Sequence, residues 1–140
     1  MIDGMATPLF LDLEPRAESE LDVAMTYLSQ SIGTDYAERF TAEAGRVLKE
    51  ACHDIAEEIV SHGKPSSPMH EAASVRFSRP IYRLDVAVTK ARARRSSAGL
   101  WYVFYALEDR ANIGRPDTLA VVAVRHSAAR PFGVEEDADD

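Results

Sequence analysis

Arg95-Ser-Ser-Ala-Gly-Leu-Trp-Tyr-Val-Phe-Tyr105 is the stretch from which the rest of the chain can be placed. Its cationic, serine-containing start and Gly99 predict a turn. The six residues from Leu100 are aromatic, branched or long apolar side chains of the kind that suit a pleated sheet. Trp101, Val103 and Tyr105 alternate with Leu100, Tyr102 and Phe104, so both faces of this strand carry large apolar groups. An edge strand open to water would not tolerate that, which puts this one in the middle of a sheet.

The segments on either side supply its neighbours. Ile81 to Thr89 sets Tyr82, Leu84, Val86 and Val88 on one face and Arg83, Asp85 and Thr89 on the other, a half-buried strand. Lys90-Ala-Arg-Ala-Arg-Arg95 then predicts a long cationic hairpin between antiparallel neighbours. On the other side, Glu108 to Asp117 holds Gly114 and Pro116 and reads as a turn, and Thr118 to Arg125 supplies a last strand rich in Val.

The N-terminal half reads as helical. Pro8 to Glu14 alternates Leu9, Leu11 and Leu13 with Phe10, Asp12 and Glu14 and predicts a short first strand. Pro15 suits the first turn of a helix, and Leu21, Ala24, Met25 and Leu28 recur at helical spacing until Gly33, so the first helix spans roughly residues 15 to 31. Thr34 or Asp35 is the expected cap of a second helix, with Glu38 at capping-box spacing from Asp35. Tyr36, Phe40, Val47, Ala51, Ile55 and Ile59 form its apolar stripe to about His62. The short link makes the two an antiparallel hairpin. Gly63 to Ser78, with Pro65, Pro68 and several serines, reads as a connector. The expected fold is α+β: an N-terminal strand, a helical hairpin and a three-stranded meander in one twisted antiparallel sheet, ordered β-α-α-β-β-β.

With 140 residues, 46% of them hydrophobic and 28% charged, the chain fits one domain with a single core, placed at residues 7–133, followed by an acidic, disordered tail at 134–140. The lone Cys52 has no partner for an internal disulfide, and neither a bilayer-spanning apolar run nor a secretory leader is recognisable, so a cytoplasmic location is expected. The net charge of -7 hides an asymmetry: -9 over residues 1–72, +7 over 73–133 and -5 over 134–140. A cationic block inside an acidic protein suits a polyanion or an acidic partner, whereas the overall charge argues against indiscriminate nucleic-acid binding. Solvated polar faces on an ordinary fold are the plainer reading of the same numbers.

Several chemistries lack their residues. There is no phosphate-binding glycine loop, no His-Glu-x-x-His pair and no paired cysteine ligands. Ser96 and Ser97 have no recognisable histidine-acid constellation, and the 108–117 turn does not have the spacing of a calcium loop. His53 and His62 are nine positions apart on one helix, a spacing that does not stack them as zinc ligands, so both are expected at the surface. No metal and no cofactor is expected.

The opening strand, the helical hairpin, the Tyr82-Arg83 strand, the Arg95–Tyr105 stretch and the closing Ala123-Val-Arg-His126 segment together resemble the RelE/ParE superfamily of type II toxin-antitoxin toxins, from about Leu9 to Phe132. The resemblance implies a growth-inhibiting toxin neutralised by a cognate antitoxin in a hetero-oligomer. It also implies one of two targets: the ribosome, where RelE-like members cut the bound messenger, or DNA gyrase, which ParE-like members poison. Fold alone does not choose between them, and a non-catalytic, non-toxic interaction domain on the same scaffold stays open beside both.

RNA cleavage by internal transfer needs a group that activates the 2′-hydroxyl, cations for the crowded phosphate and an acid for the leaving oxygen. RelE-like members use Lys, Arg and Tyr on the sheet. Here the candidates are Arg83, Tyr102, Arg125 and His126, while the usual second-strand lysines are missing and Tyr102 stands where many ribonuclease members show arginine. His126 can titrate near neutrality as acid or base, and Arg125, Arg83 or Arg95 can clamp phosphate. The candidate surface for an antitoxin or nucleic acid is Arg83, Lys90, Arg92, Arg94, Arg95 and Arg125. Each has a structural reading too: a strand-end histidine, a paired arginine, a core tyrosine, a solvated turn.

Overall fold

The computed structural model describes residues 7–87 and 100–127. The elements run β1 (Phe10–Leu13), α1 (Pro15–Ser31), α2 (Thr34–His62), α3 (Glu71–Phe77), β2 (Tyr82–Ala87), β3 (Leu100–Glu108) and β4 (Thr118–His126). The four strands form one sheet in the order β1-β4-β3-β2, with β3 inside it as its two apolar faces require.

The sheet is mixed, which corrects the expectation of an antiparallel one. β3 pairs antiparallel with β2 and β4, but β1 lies parallel to β4, Phe10 opposite Thr118 and Leu13 opposite Val121. Alternating side chains identify a strand without giving its direction. A parallel partner needs a long crossover, and the helices between β1 and the later strands supply it. Within β1 the alternation holds only in part: Leu9 is buried and Leu13 packs on the core, while Leu11 stands 45% exposed.

α1 and α2 occupy the predicted spans, and Pro15 does open α1. The expected Thr34 or Asp35 cap does not form, since α2 has no side-chain cap. Gly33 does both jobs at the junction. Its N–H donates to the Leu28 carbonyl at the end of α1, and its own carbonyl accepts from Ala37 N–H in α2. It does so at φ 146°, a conformation that L side chains rarely adopt. With only Ile32 and Gly33 between the helices, no room remains for a capping box. Ala24 and Leu28 from α1 and Tyr36, Phe40, Leu48, Ala51, Ile55 and Ile59 from α2 then pack on Val86, Trp101, Val103, Tyr105, Leu119, Val121 and Val124 of the sheet.

The segment read as a connector contains a third helix, a second correction. α3 is only seven residues long, and its N-cap is His70, whose ring Nδ1 accepts a hydrogen bond from Ala73 N–H at 3.2 Å. Histidine is not a usual N-cap and a two-turn helix shows little periodicity, so Pro65, Pro68 and the serines dominate the sequence pattern. Ala73 of α3 packs with Ile81, Phe104, Ala106, Val122 and Ala123 in a second cluster on the other side of the sheet.

A bulge ties the two sides together. Phe104 opposes Ala123, yet Tyr105 opposes Val121, so Val122 is an extra residue in β4. Val122 and Ala123 consequently both face the second cluster, and every position after them is turned over relative to a regular strand.

Candidate functional site

Because of that turn-over, Arg125 points to the face that carries Tyr102, and His126 to the face that carries Trp101. The sheet register then builds one row across three strands: Asp85 on β2 opposite Tyr102 on β3, and Tyr102 opposite Arg125 on β4. Arg83, two residues along β2, lies on the same face and places its guanidinium carbon 4.1 Å from the Tyr102 ring centroid. Its Nε meets Asp85 Oδ1 at 3.0 Å, with 39% and 51% of the two side chains exposed. Tyr102 and Arg125 are half-buried.

Three of the four candidate catalytic residues, Arg83, Tyr102 and Arg125, are thus brought together, and the fourth is not. His126 stands edge-on to Trp101, ring centroids 4.9 Å apart at 88°, beneath α1. There it lines a cavity of about 580 Å³ with Glu20, Val23, Tyr27, Val124 and its chain neighbour Arg125. Glu20 is engaged within the fold: Oε1 accepts Val124 N–H at 2.7 Å and Oε2 accepts from Arg16 Nε at 3.0 Å. Pairing His126 with Tyr102 as acid and base therefore has no geometric support. Lys90, Arg92, Arg94 and Arg95 lie outside the described residues, as does the 134–140 tail. Tyr105 is fully in the core, and burial pushes its hydroxyl well above the usual tyrosine range, which removes it from any acid-base role.

His70 is the residue that the sequence reading missed. It precedes α3, sets its ring 5.1 Å from Phe104 in an edge-on contact, and shares a cleft of about 410 Å³ with Ser67, Met69, Arg83 and Asp85. Burial, and secondarily the positive charge of Arg83, lowers its pKa below the ordinary histidine value of 6.5. A neutral ring whose Nδ1 accepts from Ala73 carries its proton on Nε2, so at neutral pH the side chain offers a donor. The only hint in the sequence was a lone histidine two residues after Pro68 and ahead of an alanine pair.

The same cap makes α3 sensitive to acid. Protonating His70 removes the acceptor that holds Ala73 N–H. Because the folded pKa is depressed, the unfolded chain takes up the proton first as pH falls below about 6.5. The contribution of this group to stability is complete above that value and declines below it. Denaturant midpoints measured from pH 8 to pH 5 are expected to show a downward step that His70→Asn, which keeps a capping acceptor, removes. An unchanged pH profile in that variant refutes the assignment.

No three His, Cys, Asp or Glu side chains gather as metal ligands among the described residues. None of the described helices is long and apolar enough to cross a membrane. Comparison with protein-family models gives no match, and comparison with curated proteins gives none.

Proposed function

We propose that the chain is a growth-inhibiting toxin of the RelE/ParE type, restrained by a cognate antitoxin, that acts on single-stranded RNA through the Arg83, Tyr102 and Arg125 row of its sheet. The observation that supports this reading most is the Arg83 guanidinium stacked over Tyr102 with Arg125 on the next strand. A guanidinium laid on an aromatic ring suits an unstacked base, and a second cation on the next strand suits the strand's phosphates. An acidic antitoxin segment would cover the same arginines by charge complementarity. The order of one strand, a helical hairpin and a sheet of further strands agrees with the superfamily resemblance.

The position of His126 favours a second reading. With that histidine across the sheet, the Arg83, Tyr102 and Arg125 row holds no imidazole of its own, so a ParE-like gyrase inhibitor working by binding alone fits the same row. Induced expression in bacteria separates the readings. Growth arrest with messenger cleavage before any SOS response is the expected result, relieved by Arg83→Glu with Arg125→Glu. An SOS response first would establish the gyrase reading. Neither response would leave a non-toxic interaction domain and overturn the toxin assignment.

A further inference from the structure

We propose that the cleft between the loop leading into α3 and strand β2 is a nucleobase site, and that it selects guanine. The inference rests on the RNA reading above and narrows it from a strand to a single base.

The cleft is walled by Ser67, Pro68, Met69, His70, Arg83 and Asp85 and encloses about 410 Å³. Its charges decide what it can take. Arg83 and Asp85 are paired at 3.0 Å and cancel. A phosphate would meet a carboxylate there, so the favoured occupant is an uncharged polar edge on a flat body. Stacking is already provided for: Arg83 is fixed over Tyr102, and 39% of its side chain is exposed for a base to extend the pile.

The hydrogen-bonding groups then discriminate among bases. His70 offers an Nε2 proton, and the Asp85 carboxylate, with about four acceptor sites of which Arg83 takes one, offers several acceptors. One donor and a bidentate acceptor lining the same cleft complement the edge of guanine, which presents O6, N1–H and the 2-amino group in that order. Adenine and cytosine place an acceptor where guanine has N1–H, and uracil has only a single N–H. The carboxylate is therefore satisfied twice by guanine alone.

The test uses the full chain and fluorescein-labelled RNA hexamers of uridine carrying one central guanosine, inosine or uridine, followed by fluorescence anisotropy at about 100 mM salt, where exposed phosphate contacts are screened beyond roughly 10 Å. Inosine differs from guanosine only in lacking the 2-amino group. The guanosine RNA is expected to bind about 5- to 100-fold more tightly than the inosine RNA, the range for a good bidentate contact. Asp85→Asn should remove that difference, with its melting curve confirming that the exposed position leaves the fold intact. Equal affinity for the three RNAs, or a preference that survives Asp85→Asn, overturns the guanine site while leaving the RNA reading in place. Failure of all three RNAs to bind overturns both.

Discussion

Replacing Phe40 by alanine is expected to destabilise the chain by about 3–5 kcal/mol, the cost of a large aromatic lost from a packed core. Phe40 is 1% exposed, and its ring sits 5.0 Å from that of Trp101, inclined at 47°. That contact joins the middle of the sheet to the helical layer, so truncation removes the ring's apolar burial and leaves Trp101 facing a void. Set against the 5–15 kcal/mol typical of a domain, the loss is large, corresponding to a drop of about 10–20 °C in Tm. Trp101 is the sole tryptophan and reports directly, through a red-shifted emission at temperatures where the variant is still folded. Phe40→Leu should cost far less because it keeps most of the volume. Tyr27→Ala, at a position of α1 that is 57% exposed, should cost well under about 1 kcal/mol. A Phe40→Ala cost comparable to that of Tyr27→Ala would mean that the helices do not pack on the sheet through this ring.

What could be read in advance follows from which forces act locally. The α1 and α2 spans came from apolar periodicity and from Pro15 and Gly33, because burial of one helical stripe is written directly into residue spacing. The interior place of β3 was legible for the same reason, its two apolar faces needing two covers, which α1 with α2 and the shorter α3 provide. Direction and register were not legible. Whether β1 runs parallel or antiparallel to β4 depends on where a crossover lands, more than a hundred residues from the start of β1.

The bulge had the largest consequence for the site. Reading Arg125 and His126 as successive strand residues places them on opposite faces but leaves open which faces Tyr102, and the single extra residue Val122 reverses the answer that a regular strand would give. Nothing in Ala120-Val-Val-Ala-Val124 marks that position, since small and β-branched residues fill every site of the run. A sequence alone could nominate both side chains, and only the register could separate them.

The second large effect is expected at Arg79, where Arg79→Ala should cost about 2–3 kcal/mol. Its Nη2 donates to both oxygens of Glu14, at 2.8 and 2.9 Å, and its Nη1 donates to Glu108. Arg110 continues the chain of charges, with Nε on Glu108 Oε1 at 2.6 Å and Nη1 on Asp12 Oδ2 at 2.8 Å. Five side chains thereby fasten the four-residue β1, the start of α1, the end of β3 and the turn before β4. The charged groups of Arg79, Glu14 and Glu108 are about a third exposed or less, so they are screened more weakly than surface pairs, worth about 0–1 kcal/mol, without bearing the full penalty of about 3–5 kcal/mol for breaking a buried pair. Removing the guanidinium takes both of these bonds from Glu14 and leaves Glu108 to Arg110, and Arg79→Lys should recover less than half of the loss because an ammonium cannot span both carboxylates in the same planar geometry. A double-mutant cycle with Glu14→Gln should return a coupling of about 1 kcal/mol or more, and amide exchange in β1 should quicken before that of β3, since β1 has few other ties. Strict additivity of the two substitutions, with β1 protected as before, would show that the short strand is held by its backbone pairing to β4 and by Leu9 and Leu13, and that the ion network only decorates the surface.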